Sequence, residues 1–536
     1  MMPMLSTRIF AAIANAIALL MAMASAAEPG PNVVIVHASN ETVKAVGGTV
    51  FPEAIGGSFP AASQAELLSG RHEFACGVSH SFGGRNWIRP DELLLPERFR
   101  QAGYRTALAG DWWLGHALPC RPQDKGFEDV FATEPDGTLD GRWGVAPGSL
   151  SETRKTSALK WLGERAKDGK PFFLEVTWPK GESLSGLTGE IDRLGLTERT
   201  LVVAMGESKN GESFPANTIA PLAFRWAGKY AARTVIAPVS WRDVASSVAA
   251  ACGIEFPAGE GIDLGTVLSG KAEPQAGRKF FQHAGGWPGD DSPARHRMQA
   301  FAVRDEHWLL QGLEWFDLTK PVTNRQGESE PRPAMTAGWL QEYGAWWQRV
   351  SPGLQELVRV SIGDERQPVV RLNASSWWPS REVSDAKGAE LCRDQATLRE
   401  LLEQLADPDP SQLAALPAIS GHWKLNVARE GHYRVTLWKL PPEATDDERK
   451  RLGKLRAGKV HLRAGKFELQ SGVLENATAV TVGMDFAQGP VEFEAWFDGQ
   501  LPGDRILGAF FVSLERVGER KLPDPDWSVR PGPKNP

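Results

Sequence analysis

Four short apolar runs, spaced along the chain with helical stretches between them, constrain its fold most. They are Val33–Val36, Arg105–Ala109, Phe172–Val176 and Thr200–Met205. Runs this apolar, bounded by turn residues, are strands covered on both faces, as in a parallel sheet between helices. Leu94–Ala102, Glu152–Lys167 and Ser240–Ala251 read as the covering helices. The expectation is α/β: a doubly wound, mostly parallel sheet over residues 27–353.

A different pattern governs residues 354–520. Val480, Val482, Met484 and Phe486 alternate with Thr481, Gly483 and Asp485, and Val491–Phe497 repeats the alternation. His432–Leu440 and Ala509–Val517 also read as strands, with Val358–Ile362 and Val369–Leu372 as earlier ones. Period two with turn signals between runs predicts an antiparallel β-sandwich. A helical insert is expected near 394–406, and the Pro-bearing tail 521–536 is expected to be extended.

Residues 1–26 read as an export signal. Arg8 precedes an almost wholly apolar run from Ile9 to Ala24, and Ala24-Ser25-Ala26 supplies the small residues of a cleavage site. The expected location is therefore periplasmic or extracellular, without stable membrane insertion. Loss of Arg8 takes the net charge from -6 to -7. An acidic chain with pI near 6.0 lacks the basic footprint of a nucleic-acid binder. The 20 Trp and 23 Phe against 4 Tyr suit either a core or carbohydrate stacking. Cys76, Cys120, Cys252 and Cys392 show no metal-ligand spacing, and an oxidising compartment would allow three pairings.

The order of several segments resembles the sulfatases of the alkaline-phosphatase superfamily. Pro31–Val36 resembles their opening strand, and Glu66-Leu67-Leu68-Ser69-Gly70-Arg71 the helix after their catalytic cysteine. Ala102–Leu108 with Gly110–Gly115 resembles the AGYRTALIGKWHLG signature, and Pro221–Trp226 the PLIVRWPGK stretch. Trp315-Phe316-Asp317-Leu318 is similar to a late ELYDL element. The C-terminal block resembles the β-sandwich of bacterial secreted sulfatases.

Carried across residue by residue, the resemblance implies an altered site. The nucleophile slot of the C-x-P-x-R motif falls on Pro60, its proline on Ala62 and its arginine on Gln64. The Asp-Asp pair of metal ligands falls on Ser39 and Asn40, and the later Asp-Asn pair on Glu207 and Ser208. The signature lysine and histidine fall on Asp111 and Trp113, and a further histidine near Lys180. Lys209 stands near a late lysine.

Proline has no side-chain heteroatom and cannot become the aldehyde that the family uses as nucleophile. Ser39, Asn40, Ser208 and one carboxylate make a poor donor set for a hard divalent cation. An unpaired Asp111 would repel a sulfate where a lysine attracts it. At about 4 Å and an effective dielectric near 20, that swing is worth several kcal/mol.

Three functional readings follow. The first is a non-catalytic sulfatase-like protein that binds a glycan or a partner protein and needs no cofactor. The second is an active sulfuric-ester hydrolase of arylsulfatase type, with calcium bound and Ser58 as the displaced nucleophile. The third is a hydrolase of different chemistry around His37 and Glu207. Trp112 and Trp113 are possible sugar-stacking rings, but buried packing is the plainer expectation. His283 with Asp290 and Asp291 has an irregular spacing that suits a polar loop better than a metal site.

Overall fold

The computed structural model describes residues 30–131, 143, 150–207, 213–287, 291–320, 333–355, 357–379, 391–392, 394–406, 416–503 and 505–519. The proposed export signal, Ser208, Lys209, Asp290 and the tail lie outside the described residues.

An eight-stranded sheet organises the N-terminal part. Its strands are β1 (Asn32–His37), β2 (Thr49–Ile55), β3 (Arg105–Ala109), β4 (Asp129–Val130), β5 (Phe172–Thr177), β6 (Thr200–Met205), β7 (Ile219–Arg225) and β8 (Arg233–Thr234). Their order is β4-β3-β5-β1-β6-β7-β2-β8. From β4 to β6 all neighbours are parallel, while β7 runs antiparallel to both β6 and β2.

The four runs singled out in the sequence are thus neighbours at the centre of one sheet. Their side chains alternate between two apolar layers because strand residues point to opposite faces. Val34, Val36, Leu174 and Val202 pack with Trp161 and Leu162 of a helix over Ser151–Arg165 and with Leu187 and Ile191 of one over Ser185–Arg193. Val33, Ile35, Phe173 and Val203 pack on the other face. Helices over Pro60–Ser69, Leu95–Gln101 and Arg242–Ala251 contribute to that layer.

One part of the first region departs from the βα alternation. Phe280–His283, Phe301–Arg304, Trp308–Gln311 and Glu314–Asp317 form a separate antiparallel four-stranded meander. It is covered by a helix over Pro333–Val350 through a cluster of Trp315, Trp339, Tyr343, Trp346 and Trp347. The last three of these strands are joined by tight connections, and antiparallel neighbours need no crossover helix.

The C-terminal part is a β-sandwich. One sheet runs Val360–Ile362, Gly421–Val427, Gly489–Phe497, Gly458–Ala464 and Phe467–Val473, and the other pairs Val369–Asn373, Phe511–Gly518, Gly431–Trp438 and Val480–Phe486. The pairing is antiparallel except where Val360–Ile362 runs parallel to Gly421–Val427. The helix at Gln395–Ala406 buries Leu398, Leu401, Leu402 and Leu405, one face at helical spacing.

Tryptophan is mostly structural here. Trp87, Trp161, Trp178, Trp241, Trp315, Trp346, Trp377 and Trp423 are all buried, and among the described residues none of the strongly exposed large apolar side chains is a tryptophan. The four cysteines are unpaired, and Cys76, Cys120 and Cys392 are fully buried. Among the described residues, no helix is long and apolar enough to cross a membrane.

Candidate functional site

The parallel strands β3, β5, β1 and β6 end along one edge of the sheet, where open α/β sheets place their ligand sites. Nearly every described residue of the inferred slots lies on the loops at that edge or on the helix at Pro60–Ser69. Several of them fall into two hydrogen-bonded chains.

The first chain centres on Gln64. Its Oε1 accepts the Trp113 amide at 2.9 Å, and its Nε2 donates to the Asp111 carbonyl at 3.1 Å and to Glu175 Oε1 at 3.2 Å. Glu175 Oε1 also lies 3.0 Å from His37 Nε2. Glu175 is 1% exposed and its second oxygen has no hydrogen-bond partner. The imidazole of His37 is 27% exposed, so it has a buried carboxylate behind it and solvent in front.

Asp111 does not face the cleft as an unpaired charge. Its carboxylate is bonded by Arg154 from the Ser151–Arg165 helix, with Nη2 to Oδ1 at 2.5 Å. The Arg154 side chain is 3% exposed and that of Asp111 22%. The repulsion expected from the sequence is therefore largely neutralised by a partner 43 residues away.

The second chain joins residues at the inferred metal-ligand slots. Asn40 Oδ1 accepts the Glu207 amide at 2.9 Å, and the Glu207 carboxylate pairs with Lys180 at 3.2 Å. Glycine at 206 is required, since a Cβ there would lie 2.3 Å from Asn40 Oδ1. Ser39 Oγ is 2.8 Å from Thr42 Oγ1, whose own hydroxyl donates to the Glu182 carbonyl. Lys180 and Glu207 are exposed, with 77% and 49% of their side chains accessible, so their pairing is a solvated one.

Pro60 is exposed at the first turn of its helix, where a missing N–H costs nothing. Ala62 is fully buried, and Gly57 packs so closely on it that a Cβ would sit 2.5 Å from Ala62 Cβ. Ser58 Oγ donates to the Ala284 carbonyl at 2.9 Å. Among the described residues, no histidine or lysine is hydrogen-bonded to this hydroxyl.

Two further candidates resolve into packing. Trp112 donates its ring N–H to the Gly115 and Cys120 carbonyls and meets Phe127 edge-on. His283 is buried with both nitrogens engaged, by the His296 carbonyl and by the Gly285 amide. Asp291 pairs with His296 instead. Sequence reasoning missed Glu175 and Arg154. Glu175 was visible as the single acid in an apolar strand, whereas Arg154 reads as one of many charges on a helix.

No protein-family model matches the chain. Canine arylsulfatase G is 40% identical over 74 residues, 13% of each chain. The ulvan-active sulfatase of Formosa agariphila is 25% identical over 313 residues, 42% of this chain and 59% of that one. The chain thus spans well under two thirds of the curated relatives it matches. Among solved structures, the Bacteroides fragilis sulfatase-type protein yidJ superposes with a TM-score of 0.51 at 13% identity, covering 62% of this chain and 98% of that one. Ps i-CgsB gives 0.50 at 15% identity, with 60% and 94% covered.

Proposed function

Because this chain is a sulfatase-like protein with the sulfatase / alkaline-phosphatase-like fold, we propose that it is non-catalytic toward sulfate esters. In this reading the former reaction cleft serves to bind a glycan or a partner protein. The observation that carries the reading is that groups in the former catalytic slots satisfy one another. Gln64 is committed to Trp113, Asp111 and Glu175, and Asp111 to Arg154. Asn40 is committed to the Glu207 backbone.

Each of these bonds removes a requirement of the family reaction. The proline at position 60 cannot form the nucleophile. The Asn40 oxygen turned toward the Glu207 amide is not turned toward a cation. A neutral Gln64 supplies no positive charge for the transferring group. Calcium therefore belongs to the active alternative, and no cofactor to the non-catalytic one. Ser58 is disfavoured as a replacement nucleophile because its hydroxyl is spent on a backbone carbonyl. Export to the periplasm or the extracellular space is part of the proposal and follows from residues 1–26.

The decisive experiment is an assay of purified protein on aryl sulfates, with and without added calcium, alongside glycan-array and pull-down measurements. No turnover under either condition is expected. Calcium-dependent hydrolysis, or a formylglycine mass in the peptide containing Ser58, would overturn the proposal.

A second reading rests on His37. A part-exposed imidazole bonded to a buried carboxylate is the arrangement of a general base. If the cleft hydrolyses another ester class, His37→Ala should abolish that activity and leave folding intact. An ester screen without any hit would remove this reading.

A further inference from the structure

The Pro60–Ser69 helix presents Gln64 to the cleft, and Glu66, about 200° further round the helix, to the other side. There it meets His72 and Glu73, which follow the left-handed Gly70 that ends the helix at φ 68°. Glu66, His72 and Glu73 are 2%, 2% and 1% exposed. One ligand atom from each lies within 4.8 Å of the other two.

The cluster is short of positive charge and of hydrogen-bond donors. Glu66 Oε1 is 3.4 Å from Arg242 Nε, but among the described residues no nitrogen or hydroxyl donates to Glu66 Oε2 or Glu73 Oε2, and the two carboxyls face one another. Glu73 Oε2 instead lies 3.2 Å from His72 Nδ1. That nitrogen accepts the Phe74 amide at 3.2 Å, a bond that ligation through Nδ1 would have to replace. Two acceptors facing one another in a dry interior need a cation or a proton between them.

The surrounding charges point the same way. Asp243 is fully matched by a two-pronged bond from Arg278, and Glu260 accepts the His72 amide. Counted as ionised, these four carboxylates meet two guanidinium groups.

We propose that Glu66, His72 and Glu73 form a buried structural site for one divalent transition-metal cation of the zinc or manganese class. Two carboxylates and one neutral imidazole are a donor set that such ions accept. Bonds of about 2.0–2.2 Å require the three donors to draw together slightly. The ion replaces the missing donors and neutralises the excess charge. It also anchors the segment whose His72 ring meets Trp346 and whose Phe74 ring meets Trp287 and Trp347. The site thus ties the end of a central helix to the Trp-rich meander layer. It shares no residue with the cleft and does not depend on the function proposed above.

The test is elemental analysis of the full chain, refolded in zinc or manganese and then freed of loose metal, with X-ray absorption at the bound metal's edge. About one equivalent is expected, in a shell of nitrogen and oxygen with one imidazole and no sulfur. Glu73→Gln and His72→Gln should reduce the content to below about a tenth of an equivalent, while Asn40→Ala, in the cleft, should not. Wild type refolded with chelator should melt at a lower temperature and recover on adding zinc. Wild-type protein that binds neither ion, or a sulfur-containing shell, would overturn the proposal even if the variants fail to fold. So would metal content that Glu73→Gln leaves unchanged in a folded variant.

Discussion

Gln64 and Trp113 are joined across the cleft by a hydrogen bond from the Trp113 amide to the Gln64 side-chain oxygen, 2.9 Å long. The Gln64 side-chain Nε2 donates to the Asp111 carbonyl and to Glu175. The Gln64 side chain is thus a strut between a helix and the loop after β3. At 5% exposure it has little water to fall back on.

Gln64→Ala should therefore destabilise the fold by about 2–4 kcal/mol, because it strands a backbone N–H, a backbone C=O and a carboxylate. Urea unfolding of wild type and variant measures it. A loss below about 1 kcal/mol would mean that water replaces the amide.

Arg154 and Asp111 should behave as a coupled pair. Asp111→Ala leaves a buried guanidinium without its carboxylate and should cost about 3–5 kcal/mol. Arg154→Met combined with Asp111→Ala should cost clearly less than the sum of the single changes. A double-mutant cycle reads the coupling, and additive effects would contradict the pairing.

Repair of the nucleophile motif alone should not restore turnover. Pro60→Cys with Gln64→Arg, expressed in a host that installs formylglycine, is expected to give no hydrolysis of aryl sulfates. Position 60 would then carry the aldehyde, but Ser39 and Asn40 would still not hold a cation. The fuller set adds Ser39→Asp, Asn40→Asp, Glu207→Asp, Ser208→Asn and Asp111→Lys. The structure adds Arg154 to it, since a lysine at 111 would face that buried guanidinium. Residues acting as a unit are strongly non-additive, so partial sets should stay near zero. Robust turnover by the two-residue variant would show that a working metal site already exists.

Lys439 gives the sandwich a pH signature. It is 7% exposed, and burial together with Arg456 pushes its ammonium down to about 8 from 10.5. Between these values the unfolded chain holds the proton and the folded chain does not, so stability rises with pH across that window. Below pH 8 the buried charge costs at most ~3 kcal/mol. Lys439→Met should raise the melting temperature at pH 7 and flatten the rise between pH 8 and 10. An equal gain at pH 7 and at pH 10 would contradict the assignment.

The central sheet was legible because β1, β3, β5 and β6 are apolar on both faces, a local property that survives without knowledge of neighbours. The strand at Val480–Phe486 was legible through its alternation, since a half-buried strand writes its two faces into successive residues. The meander at 280–317 was not, because four-residue strands carry too little pattern to separate from loops. The slot residues inferred by counting from Leu67–Arg71 and Gly110–Gly115 lie mostly at one edge of the sheet. What fills those slots was decided only by tertiary structure. Glu175 reaches His37 across 138 residues of sequence, Arg154 reaches Asp111 across 43, and Gln64 reaches Trp113 across 49. Periodicity reports which face of an element is buried. It carries no information on which polar groups meet when distant elements are brought together, and those meetings fix the charge and hydrogen bonding of this cleft.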